Sequence, residues 1–179
     1  MPLNNNSLEK YSKGSRFFHW LIAVIVITLL AVGFILGDLP DSMKPISYTL
    51  HKSFGITVIF LMLIRLLWLI HTGKPKLPAS VPSWQRLLSR SVQHGFYVLL
   101  FIMPIAGWIM STAANKSPMF FGLFAFPFPG IDQNKQLAEF MFEVHSWVAW
   151  LIIVLLVMHV AGAIKHHFID KDNVLKRML

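Results

Sequence analysis

The sequence predicts an all-α membrane protein, a four transmembrane helix bundle with both termini cytoplasmic. Three observations predict this fold: the apolar content, the gathering of apolar residues into long blocks, and an uneven distribution of lysine and arginine. Of the 179 residues, 55% are hydrophobic and only 13% are charged, and the mean hydropathy is +0.60. Soluble domains are far more polar than this, so we expect a single domain, residues 1–179, embedded in a lipid bilayer.

Each of the four apolar blocks has about the 20 residues that an α-helix needs to cross a hydrocarbon core. The first block follows a short basic segment, as in a secretory signal, but its length and the lack of a small-residue cleavage site favour a retained helix. The third contains Pro104, which membrane helices tolerate with a kink. We predict transmembrane helices at about residues 17–37, 48–71, 90–112 and 140–165.

The three connections between the blocks differ in length and composition. Residues 38–45 are expected to form a tight loop, and residues 72–83 contain three prolines, Pro78 among them. Such proline-rich polar stretches do not lie in lipid. The longest connection, residues 115–139, includes an aromatic stretch at 120–130 that is broken by glycine and proline. We interpret this stretch as a lid folded into the membrane interface rather than as a fifth span.

The basic residues predict the orientation. If both termini lie on one side, that side has twelve of the sixteen lysines and arginines, Lys76 among them, and the other keeps Lys44, Lys52, Lys116 and Lys135. Cytoplasmic flanks carry the excess of basic residues, so both termini are predicted to be cytoplasmic. The same placement accounts for the net charge of +8 without nucleic acid, for which no groove-reading motif is present.

The chain has no cysteine, which excludes disulfides, iron–sulfur clusters and thiolate-bound metals and leaves histidine as the obvious strong ligand. His145 and His159 lie 14 residues apart in the fourth block. On an α-helix this spacing is about 3.9 turns and about 21 Å of rise, so both rings leave the same face, one near each side of the membrane.

The other histidines within the spans can be placed by depth. His51 lies at the outer level of His145, whereas His19 and His94 both lie at the inner level of His159. An ionisable residue within a span usually faces the bundle interior and has a partner. The outer pair is therefore His51 with His145, and two candidates remain for the inner partner of His159.

A steric argument favours His19 over His94. A haem bound edge-on between helices passes over the turn next to its ligand, so a small residue four positions along leaves room for the macrocycle. Four histidines have such a residue, and His94 is instead followed by Val98. His94 is left as a residue near the cofactor or in a quinone site. The small residues that follow the other four histidines are Ala23, Gly55, Ala149 and Ala163.

These positions carry a resemblance to a known family. The motifs are His19-Trp20, His51-Lys-Ser-Phe-Gly55, Arg65, His94 with Pro104 and Gly107, His145-Ser-Trp147, His159 and the tail from Lys165 to Met178. From about Tyr11 to the C-terminus the chain resembles the prokaryotic cytochrome b561 family. The resemblance implies a multi-pass di-haem b protein of the bacterial inner membrane. It also implies an outer haem shared by the second and fourth helices and an inner haem shared by the first and fourth.

The expected cofactors are two haem b groups, with iron bound by His19, His51, His145 and His159. Two neutral imidazoles fill both axial positions of a haem iron, which favours outer-sphere electron transfer over oxygen activation. Haem propionates need cationic or hydrogen-bonding partners. We assign Arg16 and Arg65, with Lys52 as a further candidate, to that role, and we place Gly55 and His94 among the cofactor-binding residues.

One characterised branch of the family is a superoxide oxidase, so the resemblance implies a superoxide:ubiquinone oxidoreductase. We expect a membrane electron carrier that passes electrons between a periplasmic donor, superoxide by resemblance, and ubiquinone. Lys52 and Lys116 are predicted to attract the superoxide anion to the outer haem. Two alternatives stay open: a cytochrome b anchor subunit that takes electrons from a partner dehydrogenase, and a histidine-lined metal or proton transporter without haem.

Overall fold

The computed structural model describes residues 10–75 and 81–179, and four long helices dominate it. Each of them, the fourth counted through Ile169, is long and apolar enough to cross a membrane, which confirms the predicted four-helix membrane architecture. The fourth helix continues into a π-helical turn, Lys165–Ile169, and a short 3₁₀ helix follows at Leu175–Arg177. The long helices are α1 Lys13–Ile35, α2 Lys44–Thr72, α3 Ser83–Ala113 and α4 Lys135–Ile164.

Neighbouring helices run antiparallel. At one end of the α1–α2 interface Gly14 lies against the indole of Trp68, and at the other end Gly33 lies against the ring of His51. As the residue number rises along α1 it falls along α2, which requires opposite directions. Helix α3 packs on α2 and, over its most extensive contact, on α4.

The bundle closes between α1 and α4. The rings of His19 and His159 lie 6.1 Å apart, and those of Phe34 and Trp150 lie 5.2 Å apart. The order of these contacts again makes the two helices antiparallel, so the chain forms an up-down-up-down bundle. The first and last described residues therefore lie at the same end of the bundle.

The buried core lies midway between the two ends and takes side chains from every long helix. Ile152 and Met62 are each only 1% exposed. Ile152 stands seven residues from both His145 and His159, so this apolar layer separates the levels of the two histidines. The buried core residues are Ile22, Val58, Met62, Leu100, Val148 and Ile152.

The helices begin earlier than the hydropathy pattern predicts. Ser12 caps α1 by accepting a hydrogen bond from the amide of Ser15, and Asn134 caps α4 by accepting one from Leu137. Helix α2 begins at Lys44 with Pro45 in its first turn, so the predicted loop was too long by two residues. Hydropathy marks only the part of a helix inside the hydrocarbon, whereas capping residues set where the helix starts.

Helix α3 begins seven residues before the predicted position 90. Its first turns are amphipathic, with Trp84 and Leu87 exposed, and they precede the fully apolar part. The helix continues through Pro104 without a break in its assignment. Lys76 and Pro78, which entered the predictions for orientation and for the second connection, lie outside the described residues.

The chain termini meet at what we call the terminal end of the bundle. The amide of Tyr11 donates to the carbonyl of Arg177 (3.2 Å), and the indole of Trp20 donates to the carbonyl of Met178 (2.9 Å). The opposite end, the lid end, carries residues 116–131, which we call the lid. The cytoplasmic placement of the terminal end stays a prediction.

The lid contains a small antiparallel hairpin, β1 Met119–Phe120 and β2 Phe124–Ala125. The all-α prediction did not include it. Its turn has Phe121 and Gly122 at positive φ, 47° and 77°, a backbone shape that reverses the chain within a few residues. The lid therefore folds back on the bundle instead of crossing the membrane again, as the sequence predicted.

The Gly14–Trp68 contact yields a stability prediction. A methyl group on Gly14 would lie 2.4 Å from the indole of Trp68, whose Nε1 donates to the hydroxyl of Ser12 (2.9 Å). Gly14→Ala should displace the rigid ring, break that bond and cost about 1–3 kcal/mol. A lower midpoint of thermal unfolding in detergent would show it. Gly37→Ala is the control, because a methyl group there meets nothing within 4 Å, and equal midpoints for the two variants would contradict the prediction.

Candidate functional site: two histidine pairs in the bundle

Two pairs of histidines face each other across the bundle, and α4 supplies one member of each. His19 of α1 lies opposite His159, with ring centroids 6.1 Å apart. His51 of α2 lies opposite His145, with centroids 6.4 Å apart. All four side chains are half-buried. The structure thus brings together the pairs that depth and the small-residue argument predicted, one at the terminal end and one at the lid end.

The spacing within each pair fits one metal ion between two imidazoles. A metal–imidazole bond is about 2.0 Å long and the ring centroid lies about 1.1 Å behind its nitrogen, so two opposed ligands have centroids about 6 Å apart. Both observed separations agree with this value. Direct packing or a hydrogen bond between two histidines does not require this spacing, so the donor set suits the six-coordinate iron of a haem with two axial histidines.

At the lid end, the His145 ring is oriented by α3. Its Nδ1–H donates to the backbone carbonyl of Met103 (2.9 Å), which leaves Nε2 free to bind a metal ion. Gly107 lies against the same ring, and a methyl group on it would lie 3.0 Å from Cε1 and Nδ1. The sequence showed Gly107 only as part of a family motif and did not indicate the Met103 carbonyl.

The other lid-end ring, His51, borders an internal cleft. Gly55, Met103 and Pro104 line this cleft together with His51 and His145. A methyl group on Gly55 would meet nothing within 4 Å, so there is open space beside this glycine, one turn from His51. The Nδ1 atom of His51 is buried and has no hydrogen-bond partner among the described residues. An unsatisfied polar atom beside an open cleft fits a site built around a further group.

Aromatic rings surround the pair at the terminal end. Trp20 lies edge-on to His19, with centroids 5.3 Å apart. Phe96 of α3 lies edge-on to His159, with centroids 5.6 Å apart. These rings pack against the imidazoles, so the surroundings of this pair differ from those of the lid-end pair, which lies beside glycines.

Cationic and phenolic groups gather beside the terminal-end pair. Arg65 is half-buried within electrostatic range of both His19 and His159, and its guanidinium lies over the ring of Tyr97 at 5.5 Å. The hydroxyl of Tyr97 is buried without a hydrogen-bond partner among the described residues. Burial raises the pKa of Tyr11 outside the span, although the Arg65 guanidinium opposes it. Arg65 and Tyr97 thus offer donors that suit carboxylates.

Arg16, the other predicted propionate partner, lies one turn before His19. It donates from Nη1 to the backbone oxygen of Leu179, while its buried Nε has no partner among the described residues. The guanidinium therefore joins the C-terminal tail to α1 and keeps one donor for another acceptor near His19.

The two lysines that were predicted to attract an anion lie together at the lid end. The ammonium group of Lys52 donates to the backbone carbonyl of Lys116 (2.8 Å), and Ser111 donates to the same carbonyl. The side chain of Lys116 is exposed, whereas Lys52 is half-buried beside His51. Lys52 thus has a structural contact as well as its charge, and Lys116 offers the accessible positive charge.

Ser53, which the sequence did not single out, ties the lid to α2. Its side chain is fully buried. The hydroxyl accepts from the amide of Phe121 (2.8 Å), and it lies within hydrogen-bond distance of the carbonyls of Thr49 (2.7 Å) and Met119 (3.2 Å). Because Ser53 is two residues from His51, the lid is attached beside the outer pair.

Helix α3 holds the other half of the lid. The indole of Trp108 stacks on Phe126 with centroids 4.8 Å apart and donates to its carbonyl (2.7 Å). The amide of Phe128 donates to the hydroxyl of Thr112 (2.9 Å). Two of the four helices that line the cleft, α2 and α3, therefore also hold the lid.

The structure does not bring His94 to either pair. His94 is exposed and shares one face of α3 with Leu87, Val98 and Ile102, all of which are exposed. The opposite face of the helix, with Val92 and Leu100, packs into the bundle. The placement of His94 among the cofactor-binding residues therefore has no support in the geometry, because depth alone does not report which face of a helix a residue occupies.

A third cluster lies in the tail at the terminal end. The Nδ1 of His166 lies 2.7 Å from Asp172 and 3.3 Å from Asp170, and Lys165 forms an ion pair with Asp170 at 2.6 Å. His166 is thus half-buried and lies against two carboxylates, in a motif that closes the π-helical turn after α4.

Comparisons with known proteins give the relatives of this sequence. A family model described as prokaryotic cytochrome b561 matches residues 10–179. The chain is 40% identical over 176 residues to cytochrome b561 homolog 2 of Escherichia coli K12, covering 97% of this chain and 93% of that protein. It is 31% identical over 173 residues to a probable superoxide oxidase CybB of Yersinia pestis, covering 96% of each. Cytochrome b561 homolog 1 of Escherichia coli K12 is 26% identical over 176 residues, covering 96% of this chain and 98% of that protein.

The attachment of the lid yields a testable prediction. Ser53→Ala removes the acceptor of the Phe121 amide, and the loss of this partly buried hydrogen bond should cost about 1 kcal/mol. We expect faster hydrogen exchange across residues 117–128 and a lower unfolding midpoint. Thr57→Val is the control, since its hydroxyl bonds only to the carbonyl of Ser53 within α2 (2.9 Å). Equal exchange of the lid in both variants would show that Ser53 does not hold it.

Proposed function

The chain belongs to the prokaryotic cytochrome b561 family, and we propose that this membrane electron carrier holds two haem b groups and passes electrons from a periplasmic donor to ubiquinone. The observation that carries the proposal is the pair of opposed imidazoles at each level of the bundle, 6.1 Å and 6.4 Å apart, with α4 common to both. Family membership implies haem b, and the two pairs support a count of two.

Each histidine pair would hold one haem iron, His19 with His159 at the terminal end and His51 with His145 at the lid end. Held by two imidazoles, a bound haem would supply reversible one-electron chemistry. The buried layer around Ile152 separates the two levels and excludes water between them.

The charged residues fit the carboxylates of the cofactor. Arg65 and Arg16 would neutralise propionates at the terminal end, where the Tyr97 hydroxyl, without a partner among the described residues, would add a donor. At the lid end Lys52, which follows His51 in the sequence, is the candidate cation. Burying a propionate beside a cation lowers the free energy of the bound cofactor, because an unpaired carboxylate in a membrane interior is unfavourable.

Superoxide is the donor that we propose for the lid end. The name of the Yersinia pestis relative, a probable superoxide oxidase, supports this choice. The exposed Lys116 adds positive charge at the lid, which raises the local concentration of an anion. Each superoxide gives up one electron and leaves as dioxygen. Two such oxidations, with two protons, reduce one ubiquinone to ubiquinol.

The proposed setting is a bacterial inner membrane with the terminal end in the cytoplasm. The bacterial membrane follows from the family and from four membrane-spanning helices. The inner membrane and the orientation rest on the excess of basic residues at the terminal end. The family also favours electron transfer over the alternative of a metal or proton transporter without haem.

The ligand assignment is tested by haem content. His159→Ala and His19→Ala should each retain one haem b per chain, because each removes a ligand of the terminal-end site only. His145→Ala and His51→Ala should likewise retain one. His94→Ala serves as the control and should retain two. A pyridine haemochrome assay against protein concentration measures the ratio, and two haems in the His159→Ala protein would contradict the pairing.

The anion attraction is tested by charge reversal. Lys116→Glu should slow ubiquinone reduction by superoxide about tenfold at low ionic strength, and the difference should vanish in high salt. Lys135→Glu is the matched control: it changes the net charge equally, and its side chain is 89% exposed at the start of α4. Equal rates for the two variants at low salt would contradict the role of Lys116, and haem without any superoxide-driven reduction would exclude superoxide as the donor.

A further inference from the structure

The two histidines of the lid-end pair, His51 and His145, differ in their hydrogen bonding. On one side, His145 contacts α3 at two points, the carbonyl of Met103 at 2.9 Å and the Cα face of Gly107. On the other side, His51 has a buried Nδ1 without a hydrogen-bond partner among the described residues. Two ligands of one iron would thus have unequal hydrogen bonding.

Helix geometry links the two contacts of His145. In an α-helix the carbonyl of residue 103 points along the axis toward the amide of residue 107, so Met103 oxygen and Gly107 form one patch of the α3 surface. A side chain at position 107 would stand over this patch. Glycine leaves it open, and the imidazole can approach from α4 and reach the carbonyl from the side.

The clearance at this patch is small. A methyl group on Gly107 would lie 3.0 Å from both Cε1 and Nδ1 of His145, closer than carbon and nitrogen atoms normally approach without bonding. On the opposite wall a methyl group on Gly33 would lie 3.4 Å from Cε1 of His51, which is an ordinary contact. The two walls therefore differ in how strictly they require glycine.

We propose that Gly107 is a positioning residue that keeps the His145 imidazole on the Met103 carbonyl, and that this hydrogen bond lowers the reduction potential of the lid-end haem. The inference rests on the proposed function. An imidazole that donates from Nδ1 becomes more basic at Nε2 and a stronger ligand. A more basic imidazole donates more electron density to the iron and so stabilises ferric iron more than ferrous iron. A lower potential at the lid end favours passing an electron on to the terminal-end haem.

The test is a potentiometric titration of Gly107→Ala purified with both haems. The added methyl group should push the ring off the carbonyl and reduce the ferric-over-ferrous preference about tenfold, which is a rise of about 59 mV for a one-electron couple. The terminal-end potential should not move. The His159→Ala protein, which retains only the lid-end haem, assigns the two potentials.

Gly33→Ala is the matched control, because it adds the same methyl group to the opposite wall at an ordinary distance. Its lid-end potential should stay at the wild-type value. A Gly107→Ala protein with two haems and an unchanged lid-end potential would overturn the proposal. A protein without any b-type α-band would instead refute the proposed function on which it rests.

A second measurement covers the case in which Gly107→Ala does not retain the lid-end haem. His145→Ala loses the lid-end haem, so the variant is reconstituted with haem b in the presence of imidazole or of 1-methylimidazole. Imidazole can bind the iron and still donate to the Met103 carbonyl, whereas 1-methylimidazole can bind the iron but has no N–H to donate. The imidazole complex should have the lower lid-end potential. Equal potentials for the imidazole and 1-methylimidazole complexes would show that the hydrogen bond does not set the lid-end reduction potential.

Discussion

The structure depends on the 14-residue separation of His145 and His159 on one helix. Because both imidazoles leave the same face of α4, a partner from another helix can meet each of them at its own level. His51 arrives from α2 at the lid end and His19 from α1 at the terminal end. The other features are arranged around these two histidine pairs. The apolar layer around Ile152 fills the level between the pairs, and the lid and the tail cover the two ends of the bundle.

The pairing was predictable from the sequence because it depends on depth. The position of a residue within an apolar block gives its level in the membrane, and two histidines at one level in a bundle of four helices have few other partners. The small residues after His19 and His51 added the steric reason to prefer them over His94. The same hydropathy pattern predicted the existence of every span but misplaced the starts of α2 and α4, where Pro45 and the Asn134 cap decide.

The contacts that depend on which way a side chain or a carbonyl points were not predictable. His94 has the right depth but lies on the outer face of α3, and periodicity over a uniformly apolar helix does not identify that face. His145 is oriented by the backbone carbonyl of Met103, so the identity of the Met103 side chain does not reveal the contact. Ser53 likewise holds the lid through backbone groups, those of Phe121 and Met119. Such contacts require the actual packing of helices, and they explain why α3, which has no histidine in either pair, still shapes the lid-end site.

The most direct test of this account is the haem-to-protein ratio of the purified wild-type chain, measured together with its reduced-minus-oxidised visible spectrum. Two opposed histidine pairs on a shared α4 predict two haem b groups per chain, a b-type α-band and two separable reduction potentials. A single haem per chain would contradict the role of α4 as the common ligand helix, and a protein without the α-band would contradict the whole electron-transfer account.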